Sequence, residues 1–218
     1  MDLLGKVTRY IKNNAAYTSI INTYTSRILG VDHIAFRSLY QGQHQFSPDC
    51  IQQPDVYLFP QYDVKAHWYK NKHVNRVFSS YYQGPLFQDV FARVQQRRFG
   101  DLYSYSDYKT IYKQNQYVAW TLLHGDDINH IAIQVDDIYD LVTKMRSTYV
   151  FNGTNDVFQV SPDKKLIQAS TVASLSLYNF TDGPHLVPHS FIEFVQRIDG
   201  RDGFAESSAN AIMHSTRR

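Results

Sequence analysis

Cysteine is almost missing from this chain of 218 residues. Cys50 stands alone, which excludes an intramolecular disulfide framework and fits a reducing compartment. An excess of one charge is missing as well: 22 Lys and Arg face 20 Asp and Glu, for a net charge of +2. The basic residues are spread along the chain, so no electrostatic footprint for nucleic acid emerges, and Arg93, Arg97 and Arg98 read as a solvated helix face. No apolar run approaches a membrane span, and Met1 to Lys6 opens without the apolar core of a signal peptide. The expectation is a soluble, cytoplasmic protein without a nucleic-acid or membrane partner. A glycine-rich phosphate loop, a nucleophile elbow and a Cys-His pair are also lacking. No linker rich in Pro, Gly or Ser cuts the chain, so a single domain is expected over 1–218, with a helical segment at 1–29 ahead of a core at 30–218. The sequence carries no sign of oligomeric state.

What is present is a mixed α and β pattern with a 43% hydrophobic content, enough for a core. Leu3, Leu4, Val7, Tyr10 and Ile11 fall at helical spacing, and Gly30 reads as the stop before a strand at 31–39. Further strands are predicted at 55–59, bracketed by Pro54 and Pro60, and at 74–82. Pro85 is expected to open a helix through Arg98. The Tyr-rich stretch 101–117 stays open between helix, lid and connection. Strands at 118–123 and 129–135 come next, then a helix at 137–149 capped by Asp136, extended runs at 165–180 and 190–197, and a short helix near 204–214.

Chemistry concentrates on three strand-like runs. In Val31-Asp32-His33-Ile34-Ala35-Phe36-Arg37, period-two alternation puts Val31, His33, Ala35 and Arg37 on one face and Ile34 and Phe36 on the other. His33 and Arg37 are about 13 Å apart along such a strand, which suits a metal ligand and an anion clamp gripping two ends of a small acid. His130 lies in a similar alternation at 129–135, and Glu193 is a carboxylate among large apolar neighbours that needs a partner. Two imidazoles and a carboxylate on separate strands match the facial triad of non-heme Fe(II) enzymes. Structural readings stand beside this: half-buried strand histidines, Glu193 paired with Arg197 or Lys165, and Arg37 as a salt-bridge partner. Pro184 and Pro188 exclude a helical zinc motif for His185 and His189, which read as loop residues. His44, His67, His73 and His124 read as surface or packing residues.

Several segments taken in order resemble the 2-oxoadipate dioxygenase/decarboxylase family, also called 2-hydroxyglutarate synthases. They are Asp32-His33-Ile34-Ala35-Phe36-Arg37, Tyr57-Leu58-Phe59-Pro60, Ala66-His67-Trp68-Tyr69, Asn129-His130 and Leu166-Ile167-Gln168-Ala169-Ser170-Thr171-Val172-Ala173. The series continues through Phe180-Thr181-Asp182-Gly183 and Phe191-Ile192-Glu193-Phe194-Val195-Gln196-Arg197 to Gly203-Phe204, Asn210-Ala211 and Ser215-Thr216. The resemblance implies an α+β, vicinal-oxygen-chelate-like fold, a curled mixed sheet enclosing a metal site with helices packed outside. It also implies an Fe(II) enzyme that takes 2-oxoadipate, or a similar 2-oxo dicarboxylic acid, and O2 to 2-hydroxyglutarate and CO2. By the same resemblance, His33, His130 and Glu193 fall on the metal ligands, Arg37 on the substrate-carboxylate arginine, Gln168 near an active-site glutamine, and Ser215 at the substrate end of the C-terminus. The chain departs from the family at His214, where members commonly carry an acidic residue. Another metal-dependent enzyme of this fold, or a small-acid binder without turnover, would share these features.

Overall fold

The alternating runs become strands, and in the computed structural model, which describes residues 3–39, 49–85, 88–94, 96–152 and 157–207, eight of them form one sheet. These are β1 (Ile28–Ser38), β2 (Cys50–Phe59), β3 (Val64–Asn71), β4 (Asn75–Tyr82), β5 (Asp127–Val135), β6 (Gln159–Val160), β7 (Leu166–Ser170) and β10 (Glu193–Arg197). The remaining two, β8 (Leu175–Phe180) and β9 (Gly183–Pro188), pair as a separate hairpin. The sheet order is β2-β3-β4-β1-β5-β10-β7-β6. In the first half β4 lies parallel to β1, in the second β10 lies parallel to β5, and the halves meet where β1 and β5 run antiparallel. The result is a curled, mixed, half-barrel sheet of the vicinal-oxygen-chelate type.

Each face of the sheet carries its own apolar core. On the outer face, Ile34, Phe36, Ile131, Ile133 and Phe194 pack with α1 (Leu3–Asn13), α2 (Ala15–Thr23) and α6 (Ile138–Met145), through Val7, Tyr17, Ile20, Leu141 and Met145. On the inner face, Ala35, Tyr57, Phe59, Trp68 and Phe78 pack with α4 (Tyr105–Gln114) and α5 (Gln116–His124), and α3 (Gln88–Val94) adds Phe91. Helices therefore cover the inner face as well as the outside. Among the described residues no helix is long and apolar enough to cross a membrane.

Several expectations are corrected. Residues 118–123 form part of α5, not a strand: Asn115 caps the helix by accepting from the Val118 N–H, and Gly125 ends it at φ +74°. Because Tyr117 to Leu122 are all buried, the run has no polar face to reveal a helical period. The open stretch 101–117 resolves into a short turn and α4, which a Ser104–Asp107 capping box begins. Asp137, not Asp136, caps α6, and Asp136 pairs with Arg27 instead. Gly30 lies inside β1, at φ +146°, rather than ending a helix. Pro54 sits within β2, tolerated because β2 is an edge strand whose ladder breaks between Gln52 and Val56. The run 165–180 is two strands, and His185 lies in β9 rather than in a loop. Strand β3 was not anticipated. Of the helix expected from Pro85 to Arg98, α3 covers Gln88–Val94, while Leu86 and Phe87 lie outside the described residues. So do His44, Ser215 and residues 208–214 of the helix expected near 204–214.

Candidate metal centre

The two central strands and their parallel neighbour bring three of the expected residues together. His33 (β1), His130 (β5) and Glu193 (β10) are all buried, and one ligand atom from each lies within 4.8 Å of the other two. Glu193 Oε2 is 3.0 Å from His130 Nε2 and 3.8 Å from His33 Nε2, and the two Nε2 atoms are 3.4 Å apart. Gln168, on β7 beside β10, donates from Nε2 to Glu193 Oε1 at 2.6 Å. Neither Arg197 nor Lys165 pairs with Glu193: Arg197 binds Asp32 and Lys165 binds Asp199.

The polar atoms behind the imidazoles decide what this cluster can hold. Asp32 Oδ1 lies 2.9 Å from His33 Nδ1, and Asn129 Oδ1 lies 3.0 Å from His130 Nδ1. Both are oxygen acceptors, so both Nδ1 atoms carry hydrogen, and in the neutral rings that bind metals both Nε2 atoms present lone pairs. Glu193 Oε2, although 3.0 Å from His130 Nε2, therefore has no hydrogen bond there. Three lone-pair atoms converge in a dry interior with no proton to share. A divalent cation relieves that repulsion, and two imidazoles with a carboxylate are a donor set suited to Fe(II).

Burial and charge set the protonation of these groups. Burial pushes the His130 pKa below its ordinary value despite the opposing pull of Glu193, which keeps the ring neutral as a ligand. Burial also pushes Glu193 upward, and the hydrogen bond from the Gln168 amide is among the influences that outweigh it and hold the carboxyl low. Asp32 behaves alike, its desolvation outweighed by hydrogen bonds from Arg197 and His33. Burial lowers the Arg37 pKa to about 10, so the guanidinium is still charged at neutral pH.

A small cavity of about 30 Å³ opens on the cluster. Its lining joins His33, His130 and Gln168 to Arg37, Asn129 and Phe204. Arg37 is 3% exposed, and its guanidinium carbon lies 5.2 Å from the centre of the Tyr117 ring and 5.4 Å from that of Trp120, both on α5. The Tyr117 hydroxyl donates to the Ser38 carbonyl and accepts from the Ser38 N–H, fixing α5 against the end of β1. Phe204 sets its ring edge-on to His33, 4.8 Å between centres. Arg197 steadies the loop before Phe204 by donating to the carbonyls of Arg201 and Gly203, while gripping Asp32 at 2.5 and 2.9 Å.

Sequence reasoning missed Asp32, Asn129, Arg197, Phe204, Tyr117 and Trp120 as parts of this site. For the first two a signal exists: Asp32-His33-Ile34-Ala35 is echoed by Asn129-His130-Ile131-Ala132. For α5 the signal lay only at its ends, in Asn115 and Gly125, since its residues read as a strand.

A family model described as HGLS, 2-oxoadipate dioxygenase/decarboxylase, matches residues 88–216. A rice protein named 2-oxoadipate dioxygenase/decarboxylase, chloroplastic/amyloplastic, is 32% identical over 140 residues, 51% of this chain and 38% of its own length. The chain thus spans well under two thirds of that relative. Among solved structures, the rice hydroxyglutarate synthase in complex with 2-oxoadipate superposes with a TM-score of 0.77 at 23% identity, covering 97% of this chain and 89% of that one. A putative glyoxalase superfamily protein from Ralstonia eutropha JMP134 gives a TM-score of 0.69 at 18% identity, covering 88% of this chain and 79% of that one.

Proposed function

The chain belongs to the 2-oxoadipate dioxygenase/decarboxylase family, and from that premise we propose that it is a non-heme Fe(II) enzyme converting 2-oxoadipate, or a similar 2-oxo dicarboxylic acid, and O2 to 2-hydroxyglutarate and CO2. The observation that carries this reading is the buried convergence of His33, His130 and Glu193 on one point beside a cavity that also holds Arg37. His33 and His130 through Nε2, and Glu193 through Oε2, are the groups that would hold Fe(II). Bound there, Fe(II) would supply the redox chemistry that couples oxygen reduction to loss of the substrate carboxylate.

The protein's own part is binding, orientation and exclusion of water. Arg37 offers a two-pronged fork to the carboxylate remote from the keto group, and its contact with the Tyr117 and Trp120 rings limits where that fork can sit. Gln168 occupies Glu193 Oε1, leaving Oε2 as the ligand atom. The Gln168 Oε1 atom, buried without a hydrogen-bond partner among the described residues, is available to a hydroxyl in the cavity. Phe78 and Phe204 keep the wall apolar, so charges inside interact strongly. The lone Cys50 thiol supports a reducing compartment such as the cytoplasm.

The test is oxygen uptake and CO2 release by protein reconstituted with Fe(II) and given 2-oxoadipate, with His130→Ala beside it. Both signals should appear with the native chain and disappear with the variant, while the fold persists by circular dichroism. Binding of the acid without oxygen consumption would make the protein a binder, and full activity in His130→Ala would remove the triad.

A further inference from the structure

In a regular strand the side chain before a histidine points to the opposite face. At both histidines of this site the strand breaks that rule. Pairing between β1 and β5 runs from Val31↔Ile133 to His33↔Ala132, which leaves Asp32 as an extra residue in β1. Further on it runs from Ala35↔His130 to Phe36↔Ile128, which leaves Asn129 as an extra residue in β5. Each is a β-bulge, the device by which strands re-aim a side chain beside a site. The first also accounts for Val31, which packs with the outer core instead of sharing the face of His33.

The two bulges have the same outcome with different chemistry. Each turns the preceding side chain back onto Nδ1 of its own histidine, at 2.9 Å for Asp32 and 3.0 Å for Asn129. Both side chains are buried, at 0% and 1% exposure. Asp32 is a carboxylate, charge-balanced by Arg197 and, at 3.5 Å, by Arg76. Asn129 is neutral, and its Nδ2 has no hydrogen-bond partner among the described residues.

We propose that Asp32 and Asn129 are positioning residues for the metal centre: both lock the Nδ1–H tautomer that turns Nε2 toward the ion, and the charge on Asp32 alone makes His33 the stronger donor of the pair. This rests on the metal-centre reading above. A carboxylate hydrogen-bonded to a ligating imidazole raises its basicity, whereas an amide only orients it, and loss of such a partner weakens metal binding about 10–100-fold.

Titration of metal-free protein with Co(II), followed by its visible absorption, separates the possibilities without requiring turnover. Asp32→Asn keeps an oxygen acceptor but not the charge, and should weaken Co(II) binding about tenfold or more and shift the absorption bands. Asn129→Leu removes the acceptor at His130 and should also weaken binding about tenfold or more. Native protein that binds no Co(II) would remove the metal centre itself. Native protein that binds Co(II), with Asp32→Asn or Asn129→Leu binding it equally and with unchanged bands, would leave the metal centre standing and overturn this proposal. Should Asp32→Asn not fold because Arg197 loses its counter-charge, Asn129→Leu still decides the tautomer lock, and Asp32→Asn combined with Arg197→Gln decides the part played by the charge.

Discussion

At the scale of single residues, the charged and titratable groups around the cavity differ in what they can be asked to do. Arg37 is a planar fork between two aromatic rings, and an ammonium cannot copy either its two-pronged grip or its stacking. Arg37→Lys should raise KM for 2-oxoadipate about tenfold or more while leaving a monocarboxylic 2-oxo acid little affected, as steady-state oxygen uptake with both acids will show. His124 makes a different prediction. It is bonded to the Tyr178 hydroxyl at 2.6 Å and stacked on His189, and burial, with His189 adding to it, drives its pKa from 6.5 down to about 3. An unfolded chain would protonate this ring below about pH 6.5 and the folded one would not, so stability falls as pH drops through that window. The slope is up to about 1.4 kcal/mol per pH unit for one such group. Denaturant unfolding between pH 7 and 4 should show that slope, flattened in His124→Gln; an identical slope in the variant would assign it to other groups. The histidines of the site were legible because each sits in an alternating strand, and Glu193 because a lone carboxylate stood among apolar residues. Asp32 and Asn129 were not, since period two sends them to the wrong face, and only the pairing of β1 with β5 exposes the bulges.

At the scale of elements, α5 is the part that alternation could not find. Its boundaries were nonetheless written in chemistry: Asn115 before it and Gly125 after it are a cap and a stop. Asn115 also donates from Nδ2 to the Tyr62 carbonyl at 2.8 Å, so one buried side chain both starts the helix and ties it to the end of β2. Asn115→Ala should destabilise the protein by about 2–4 kcal/mol, from the lost cap plus a buried carbonyl left unpaired. It should also raise KM for the dicarboxylate through displacement of Tyr117 and Trp120. Urea unfolding and substrate kinetics check the two effects separately. The strand β3 escaped notice although its pattern was legible: Val64, Ala66 and Trp68 alternate with Lys65 and His67 in period two.

At the scale of the whole molecule, the candidate ligands straddle the join between the two halves of the sheet. His33 comes from the first half, and His130 and Glu193 from the second. An ion held by all three would link the halves in the folded state only, so its removal should cost stability by mass action. At a free metal concentration 100 times Kd that amounts to about 2.7 kcal/mol. A chelator should therefore lower Tm in a metal-concentration-dependent way, and a Tm indifferent to both Fe(II) and chelator would mean the ion does not bridge the halves. The order of strands was readable only as a family expectation, because long-range pairing leaves no mark on local periodicity. The same seam contains the two bulges, and they are opposite in sense. The extra residue in β1 puts the pairing out of phase by one position, and the extra residue in β5 restores it, while the pairings of β1 with β4 and of β5 with β10 lie beyond the extra residues. The segment that carries the candidate histidine ligands is thus a short dislocated patch between two opposed defects. Deleting Asp32 alone would throw the seam out of phase, whereas deleting Asp32 and Asn129 together would bring this stretch back into phase as regularly paired strands whose histidines had lost both of their supports.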